Sequence, residues 1–387
     1  MRKSEVKMNK IYCNLGVIGC GTFSDAYLST LGIEYPQVRP VACCDLNEES
    51  ARKAAEKWNI PTVCTSEEMF ADPNIDIVLI LTNPSSHYAL TMQALKAGKN
   101  VYCEKPMATS LEEANEITRY AGEHGLFVGA APDTFLSSEF QTVRKLLDSG
   151  KVGDVISFTA NFTGPGSDLW HPNASFLYKK GGGPVLDMAP YFITNLVALL
   201  GPIESLFCYA NRGFDRRVIR GSVVDVDVYT NYCGVMKFSS GVIGNINMSF
   251  DEWKSSQPGL ELYGTKGVVF APDPNTMMGP IRYLSADKMT AAVEGEPGMI
   301  DKLEMIYSPK TFALFEDVPP VAPRGGNKRG VGVADMADAI LNGRKPRVSA
   351  ELCRHVTEAI NAFNQCAVTS LPYVMTTECE RPAILLG

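Results

Sequence analysis

From residue 14 to residue 130 the chain alternates apolar runs of strand length with segments of helical pattern. "NLGVIG" opens the series, and residues 23 to 32 read as a helix ending at Gly32. "VRPVACCD" is a second strand, followed by the helix "NEESARKAAEKWN", with Asn47 as N-cap and acidic residues in its first turn. "IPTVCT" and "SEEMFAD" read as a short strand and a short helix. "IDIVLILT" does not alternate, as expected of a strand covered on both faces. The helix "SSHYALTMQALKAG", closed by Gly98, leads to the strand "KNVYCEKP". The helix "SLEEANEITRYAGEHG", with the capping pattern Ser110-x-x-Glu113, leads to the strand "LFVGAA". Repeated β-α units of this kind predict an α/β fold with a doubly wound parallel sheet.

After residue 150 the pattern changes. "DVISFTANFTG", "IESLFCYANRG", "DVDVYTNYCG", "VMKFSSGVIGNINMSF" and "GLELYGTKGVVFAP" are strands between turn signals, interrupted by one helix pattern at about Leu186 to Leu200. They predict a second α/β domain with a largely antiparallel sheet and helices on one face. Residues 271–330 are rich in Pro, Gly and Met with weak periodicity, and read as an insertion or a flap. The helix patterns "GVADMADAILNGR" and "SAELCRHVTEAINAFNQCAVTS" close the chain. The expected domains are 1–131 and 132–387.

Composition narrows the function classes. The 387 residues suffice for two or three domains, and 45% hydrophobic with 20% charged residues allows a large core. A net charge of −7 with no basic run disfavours nucleic acid and anionic membranes as partners. The first ten residues are charged, with no export or anchor segment behind them, and the longest apolar runs are too short to span a membrane. The eleven cysteines include no C-x-x-C pair, which predicts thiols in a reducing cytoplasm and no structural zinc. His87, His124, His171 and His355 form no ligand spacing, so no metal is expected.

Three constellations carry chemistry. Gly19-Cys20-Gly21-x-x-Ser24 follows a strand and opens a helix, so Gly19, Gly21, Thr22 and Phe23 are candidate cofactor contacts. Gly19 allows the tight turn and Gly21 lets a diphosphate approach the backbone, although Ser24 replaces the usual third Gly or Ala. Asp45, at the end of the second strand, suits both hydroxyls of an adenosine ribose and would repel a 2′-phosphate; Leu46 and Asn47, not Arg, follow it. This predicts NAD rather than NADP. The second constellation is Glu104-Lys105-Pro106, at a strand end where open α/β sheets bind ligands. Lys105 would exchange a proton with a substrate hydroxyl; alone, the triplet also reads as a solvated turn. The third is "GGGPVLDMAPYF": Asp187 and Tyr191 are four apart and would share the face of a helix starting near Leu186, with Pro190 tolerated in its first turn. Taken alone, they also read as a capping Asp and a half-buried Tyr.

"GVIGCGTFSDAY", "TNPSSHYALTMQALKAGKNVYCEKPMA" and "GGGPVLDMAPYFITNLVALLGP", in that order, resemble the Gfo/Idh/MocA family of NAD(P)-dependent oxidoreductases, from about residue 14 to "TTECERPAILL". The resemblance implies an N-terminal Rossmann domain, residues 1–131, that binds the dinucleotide. It also implies a C-terminal α/β domain, residues 132–387, that binds substrate and whose open sheet often forms the subunit interface. It places Lys105 beside the nicotinamide, with Glu104 a further cofactor-binding candidate, and His87 near the cofactor, with Thr82, Asn83 and Pro84 lining its ribose and diphosphate side. Asp187 matches the Asp of an Asp-x-Gly-x-His motif, in which it orients a catalytic His. Here the sequence departs, because Tyr191 stands in the histidine place and Ala189 in the glycine place. A free tyrosine has a pKa of about 10, so at neutral pH it needs a neighbouring cation to act as base. Catalysis is therefore assigned among Lys105, Asp187, Tyr191 and His171. "DLWHPNASFLYKKGGGP" resembles a family branch with Trp-His-Pro before the glycine run, which makes Trp170, His171 and Asn173 candidate substrate contacts. For His171 a hydrogen-bonded loop histidine is the equal alternative. The implied activity is hydride transfer between NAD and a secondary hydroxyl of a sugar, cyclitol or glycoside, by a cytoplasmic homodimer or homotetramer. Two alternatives stay open: a glycoside hydrolase or lyase with transient NAD-dependent oxidation, and a non-catalytic NAD-binding regulator.

Overall fold

The computed structural model describes residues 11–169, 171, 173–257, 259–322 and 329–385. The chain divides into two compact units, Met1–Asp133 with Lys328–Thr357, and Thr134–Asn327 with Glu358–Gly387. The first begins as β1 (Cys13–Ile18), α1 (Ser24–Leu28), β2 (Val38–Cys44), α2 (Glu48–Trp58), β3 (Thr62–Val63), α3 (Ser66–Ala71) and β4 (Ile77–Ile80). It continues as α4 (Pro84–Lys96), β5 (Asn100–Cys103), α5 (Leu111–His124) and β6 (Val128–Ala130). All six strands are parallel, in the order β3-β2-β1-β4-β5-β6. This is the doubly wound sheet expected, and every residue of β4 is buried.

Local signals set most of the element ends. Asn47 caps α2 by accepting from Glu49 N, and Asn59 ends it in the left-handed conformation. Ser110 caps α5 by accepting from Glu113 N, but the expected reciprocal bond goes elsewhere: Glu113 Oε2 receives Thr109 N at 3.0 Å. The complete capping box is at Thr65 and Glu68. The helix expected over 23–32 stops at Leu28. There Thr30 Oγ1 donates to the carbonyls of Tyr27 and Arg329, at 2.8 and 2.6 Å, and ties the chain sideways.

The second unit runs α6 (Ser138–Asp148), β7 (Val155–Thr163), α7 (Pro184–Asp187), α8 (Ala189–Leu200), β8 (Ile203–Asn211), β9 (Arg216–Ile219), β10 (Ser222–Asp225) and β11 (Asn231–Phe238). It continues as β12 (Ile243–Ser249), β13 (Leu260–Gly264), β14 (Gly267–Ala271), β15 (Arg282–Ser285), α9 (Ala286–Glu294), α10 (Met299–Tyr307) and β16 (Glu316–Asp317). In chain order there follow α11 (Val331–Asn342), which belongs to the first unit, α12 (Ala350–Thr369), whose residues up to Thr357 belong to the first unit and the rest to the second, and β17 (Tyr373–Val374) in the second. Nine strands form one sheet in the order β16-β15-β14-β13-β7-β12-β11-β8-β17, antiparallel throughout except for the parallel pair β7–β12. Strand β11 alternates buried and exposed residues, so one sheet face holds the core and the other is open. On that open face Tyr209 pairs with Cys233, Phe207 with Val235, and Lys237 with Ile243. Every residue of α8 is buried, as expected of a helix apolar on all sides.

Two expectations change here. "DVDVYTNYCG" is not one strand: residues 226–230 leave the ladder because Asp227 N bonds the carbonyl of Tyr178 and Thr230 Oγ1 bonds Asp251. The division expected at 131/132 made 132–387 one domain, whereas Lys328–Thr357 returns to the first unit. Helix α11 packs on β1, β2 and β6 and buries Val333 and Met336, each contributing about 1.5–3 kcal/mol. The buried carboxylate of Asp133 accepts Gly332 N at 2.7 Å and holds the start of that helix.

Candidate functional site

In the first unit the strand order reverses between β1 and β4, the place where open α/β sheets bind ligands at the carboxyl ends of their strands. Gly19 ends β1 with φ +97°, and a Cβ there would stand 2.8 Å from the carbonyl oxygen of Leu81, which follows β4. The turn therefore requires glycine. At Gly21 a Cβ would meet nothing within 4 Å, so the loop leaves an open cradle over its backbone. Thr22 and Phe23 are exposed beside it, and Ser24 Oγ closes the loop by donating to the carbonyl of Gly21 at 2.7 Å. The Asp45 carboxylate accepts Cys20 N on one oxygen at 2.7 Å and Asn47 N on the other at 2.8 Å. It is thus fixed toward the glycine loop, and each oxygen keeps a further lone pair for a ligand hydroxyl. Across the reversal, Asn83 and Pro84 are exposed at the start of α4, while Thr82 Oγ1 receives Ser86 Oγ at 2.7 Å. An open cradle, an oriented carboxylate and a helix start are what a dinucleotide needs.

The Glu104–Lys105–Pro106 turn follows β5 on the same edge of the sheet. Glu104 is buried: its Oε1 accepts Tyr27 Oη at 2.6 Å and its Oε2 accepts Lys105 N at 3.0 Å. Burial and the neighbouring Glu104 charge push the Tyr27 phenol well above its ordinary pKa, so it stays a donor. Lys105 is half-exposed. His87 is fully buried, with Nδ1 2.7 Å from the carbonyl oxygen of Pro106 and Nε2 3.0 Å from that of Thr82. It meets the site's backbone rather than presenting a ring nitrogen to a ligand.

In the second unit the helix expected from Leu186 is two segments. A turn, α7, ends at Asp187, and α8 starts at Ala189 with Pro190 in its first turn. Pro190 has no N–H to continue the earlier turn, so the long helix starts beside it. Asp187 and Tyr191 thus lie on consecutive segments. Asp187 is half-buried and Tyr191 buried, and the Tyr191 carbonyl accepts Asn195 Nδ2, which also donates to Thr134 Oγ1. His171 Nδ1 accepts the backbone N–H of Asn173 at 3.0 Å. In the neutral ring the proton therefore sits on Nε2, which makes His171 a donor there and supports the hydrogen-bonded loop reading. Asn173 is exposed, and Trp170 lies outside the described residues.

One buried polar cluster next to His171 and Asn173 had no sequence signal. Arg217, on β9, donates to both oxygens of Asp168 (2.8 and 3.0 Å), to Tyr178 Oη (2.7 Å) and to the carbonyls of Pro165 and Phe250. Tyr178 Oη donates to Asp168 at 2.5 Å. Asp168 and Tyr178 flank His171 and Asn173, so the arginine pins both ends of that loop. Removing one partner of such a buried pair costs about 3–5 kcal/mol. An arginine more than forty positions downstream of "DLWHPN" carries no local pattern to announce it.

Comparison with known proteins bears on both units. The NAD-binding Rossmann-fold domain of the GFO_IDH_MocA oxidoreductase family matches residues 13–131, and the GFO/IDH/MocA C-terminal domain matches residues 140–270. The 1,5-anhydro-D-fructose reductase of Ensifer adhaerens is 28% identical over 225 residues, 57% of this chain and 64% of the reductase. The trans-1,2-dihydrobenzene-1,2-diol dehydrogenase of Mus musculus is 32% identical over 190 residues, 48% of this chain and 56% of the dehydrogenase. The chain thus matches just over half the length of these relatives. Levoglucosan dehydrogenase, solved in complex with NADH and levoglucosan, shares the fold with a TM-score of 0.77 at 18% identity, over 95% of this chain and 100% of that one. Among the described residues no helix is long and apolar enough to cross a membrane. The two domain matches, in sequence order and over a parallel sheet followed by an open mixed one, place the chain in the Gfo/Idh/MocA family of oxidoreductases.

Proposed function

We propose that this oxidoreductase moves a hydride between NAD and a secondary hydroxyl of a sugar, cyclitol or glycoside. The observation that carries the reading is Lys105, a half-exposed lysine held at the same strand-end edge as the open cradle at Gly21. The nicotinamide cofactor, when bound, supplies the hydride acceptor or donor. The chain's residues supply everything else. Gly19, Gly21, Thr22 and Phe23 receive the diphosphate, with Thr82, Asn83 and Pro84 across the strand reversal. Asp45 accepts from the adenosine ribose hydroxyls, and its charge opposes a 2′-phosphate, which favours NAD over NADP.

Lys105 exchanges the substrate hydroxyl proton, and its ammonium stabilises developing alkoxide. Glu104, buried beneath it, orients the turn through Lys105 N. In the second unit Asp187 and Tyr191 supply hydrogen bonds to substrate hydroxyls. His171 donates from Nε2, so the role left to it is substrate binding, with Asn173 beside it, and not proton abstraction. The substrate class is supported by the relatives: 1,5-anhydro-D-fructose, a dihydrobenzene diol and levoglucosan are all six-membered rings with adjacent oxygenated carbons. The open face of the nine-stranded sheet, with Tyr209, Val235 and Ile243 exposed, serves as the surface of a homodimer or homotetramer.

The test is NAD reduction against a panel of cyclic polyols and anhydrosugars, with Lys105→Met beside the unaltered protein. Turnover should fall on the order of 10²-fold or more, the scale for losing a general acid or base, while NADH affinity changes little. A Lys105→Met protein of normal turnover refutes the assignment.

A further inference from the structure

The turn that carries Lys105 is held from two sides by fully buried side chains. On one side Tyr27 holds Glu104, whose other oxygen holds Lys105 N. On the other side stands His87. Its two nearest polar neighbours are backbone carbonyls from different segments, Pro106 at 2.7 Å and Thr82 at 3.0 Å. A carbonyl oxygen only accepts, so each contact is a hydrogen bond when the ring nitrogen facing it carries a proton. The neutral ring carries one such proton, so it bonds one carbonyl and packs its bare nitrogen against the other, and only the doubly protonated ring bonds both; in either form its rigid plane spaces the two carbonyls.

The two anchored carbonyls are those that matter for the site. Thr82 lies in the loop between β4 and α4; Pro106 follows Lys105 directly. A buried polar ring costs folding energy unless its bonds are made, and an apolar side chain would fill the same space without that cost. What an apolar side chain cannot do is fix one carbonyl relative to the other. Resting on the reading of Lys105 as proton carrier, we infer that His87 is a positioning residue: its imidazole is a strut that sets the Lys105 turn against the Thr82–Pro84 loop. The distance between proton carrier and cofactor-side loop then depends on a side chain that touches neither substrate nor cofactor. A misplacement of about 1 Å at a reacting group can cost on the order of 10²-fold, so a strut of this kind shows in turnover before it shows in binding.

Two substitutions test it. His87→Phe keeps a ring and removes its N–H donation; His87→Gln keeps an amide group able to donate to both carbonyls. In protein without cofactor, backbone hydrogen exchange at Lys105 and Met107 should rise at least tenfold in His87→Phe, while amides within α5 are unchanged. With NADH and 1,5-anhydro-D-fructose as the probe, kcat should fall about tenfold or more, with KM and NADH affinity within about threefold. His87→Gln should recover most of both losses. In the Lys105→Met background, adding His87→Phe should cost less than about twofold, because the strut acts through that lysine. Unchanged exchange at Lys105 in His87→Phe overturns the inference, as does an undiminished penalty in the Lys105→Met background. If His87→Phe does not fold, His87→Gln decides: protection and kcat within about threefold of normal support the strut, and loss of both overturns it. Normal turnover in Lys105→Met refutes instead the reading of Lys105, and the exchange measurement still reports on the strut by itself.

Discussion

Gly19 and Gly21 stand two residues apart in one loop, and the structure assigns them different work. At Gly19 the backbone is at φ +97°, and an added Cβ would stand 2.8 Å from Leu81 O and 2.9 Å from Leu81 C. Both are backbone atoms of the neighbouring strand end and cannot swing aside. Gly19→Ala should therefore cost at least about 1–2 kcal/mol for the conformation and roughly 1–3 kcal/mol for the overpacking. The sum, about 2–5 kcal/mol, corresponds to a fall in melting temperature of roughly 5–15 °C for a unit of this size. At Gly21 a Cβ meets no protein atom within 4 Å, so Gly21→Ala should leave stability within about 0.5 kcal/mol. If the cradle receives a diphosphate, the same methyl group takes the ligand's place. NADH affinity should then fall at least about tenfold, or roughly 1.4 kcal/mol. Thermal unfolding without cofactor, paired with NADH fluorescence titration, separates the two effects. Normal NADH affinity in Gly21→Ala would refute the cradle as the diphosphate site. Normal melting of Gly19→Ala would refute the tight contact at the strand reversal.

Asp45→Ala should weaken NAD binding and relax discrimination against NADP, and equal affinity of the unaltered protein for both cofactors would sink the role of Asp45. Glu358 is buried in the second unit and accepts from Tyr373 Oη (3.1 Å), from N and Oγ1 of Thr376 (2.7 and 2.5 Å) and from N and Oγ1 of Thr377 (2.9 and 2.5 Å). Burial by itself would raise its pKa, but the bonds from Thr376 and Thr377 overcome that and lower it. The carboxylate thus contributes stability that is fully present above its unfolded pKa of about 4.3 and is lost as pH falls through the lower folded value. Glu358→Ala should cost about 2–5 kcal/mol at neutral pH by stranding two backbone N–H groups, and urea titrations from pH 7 to pH 3 should show a shallower pH dependence than normal. An unchanged pH slope would contradict this. Light scattering at micromolar concentration should find a dimer or tetramer; monomer alone would count against the open sheet face as an interface.

What could be read in the sequence was short-range. The β-α alternation, the Asn47 and Ser110 caps, the glycine loop after β1 and the placing of Asp45 and Lys105 at strand ends all depend on residues within one turn or strand of each other. Periodicity and capping chemistry act over those distances, so sequence spacing is enough. Tertiary structure decided whatever depends on partners far away in the chain. The return of α11 to β1, β2 and β6 depends on apolar faces more than 200 positions apart, and its helical pattern says nothing about which sheet it covers. Arg217 reaches back to Asp168, and His87 sits between the carbonyls of Thr82 and Pro106. A buried polar group takes its role from the acceptors that folding brings to it, and residue type and spacing carry no record of them.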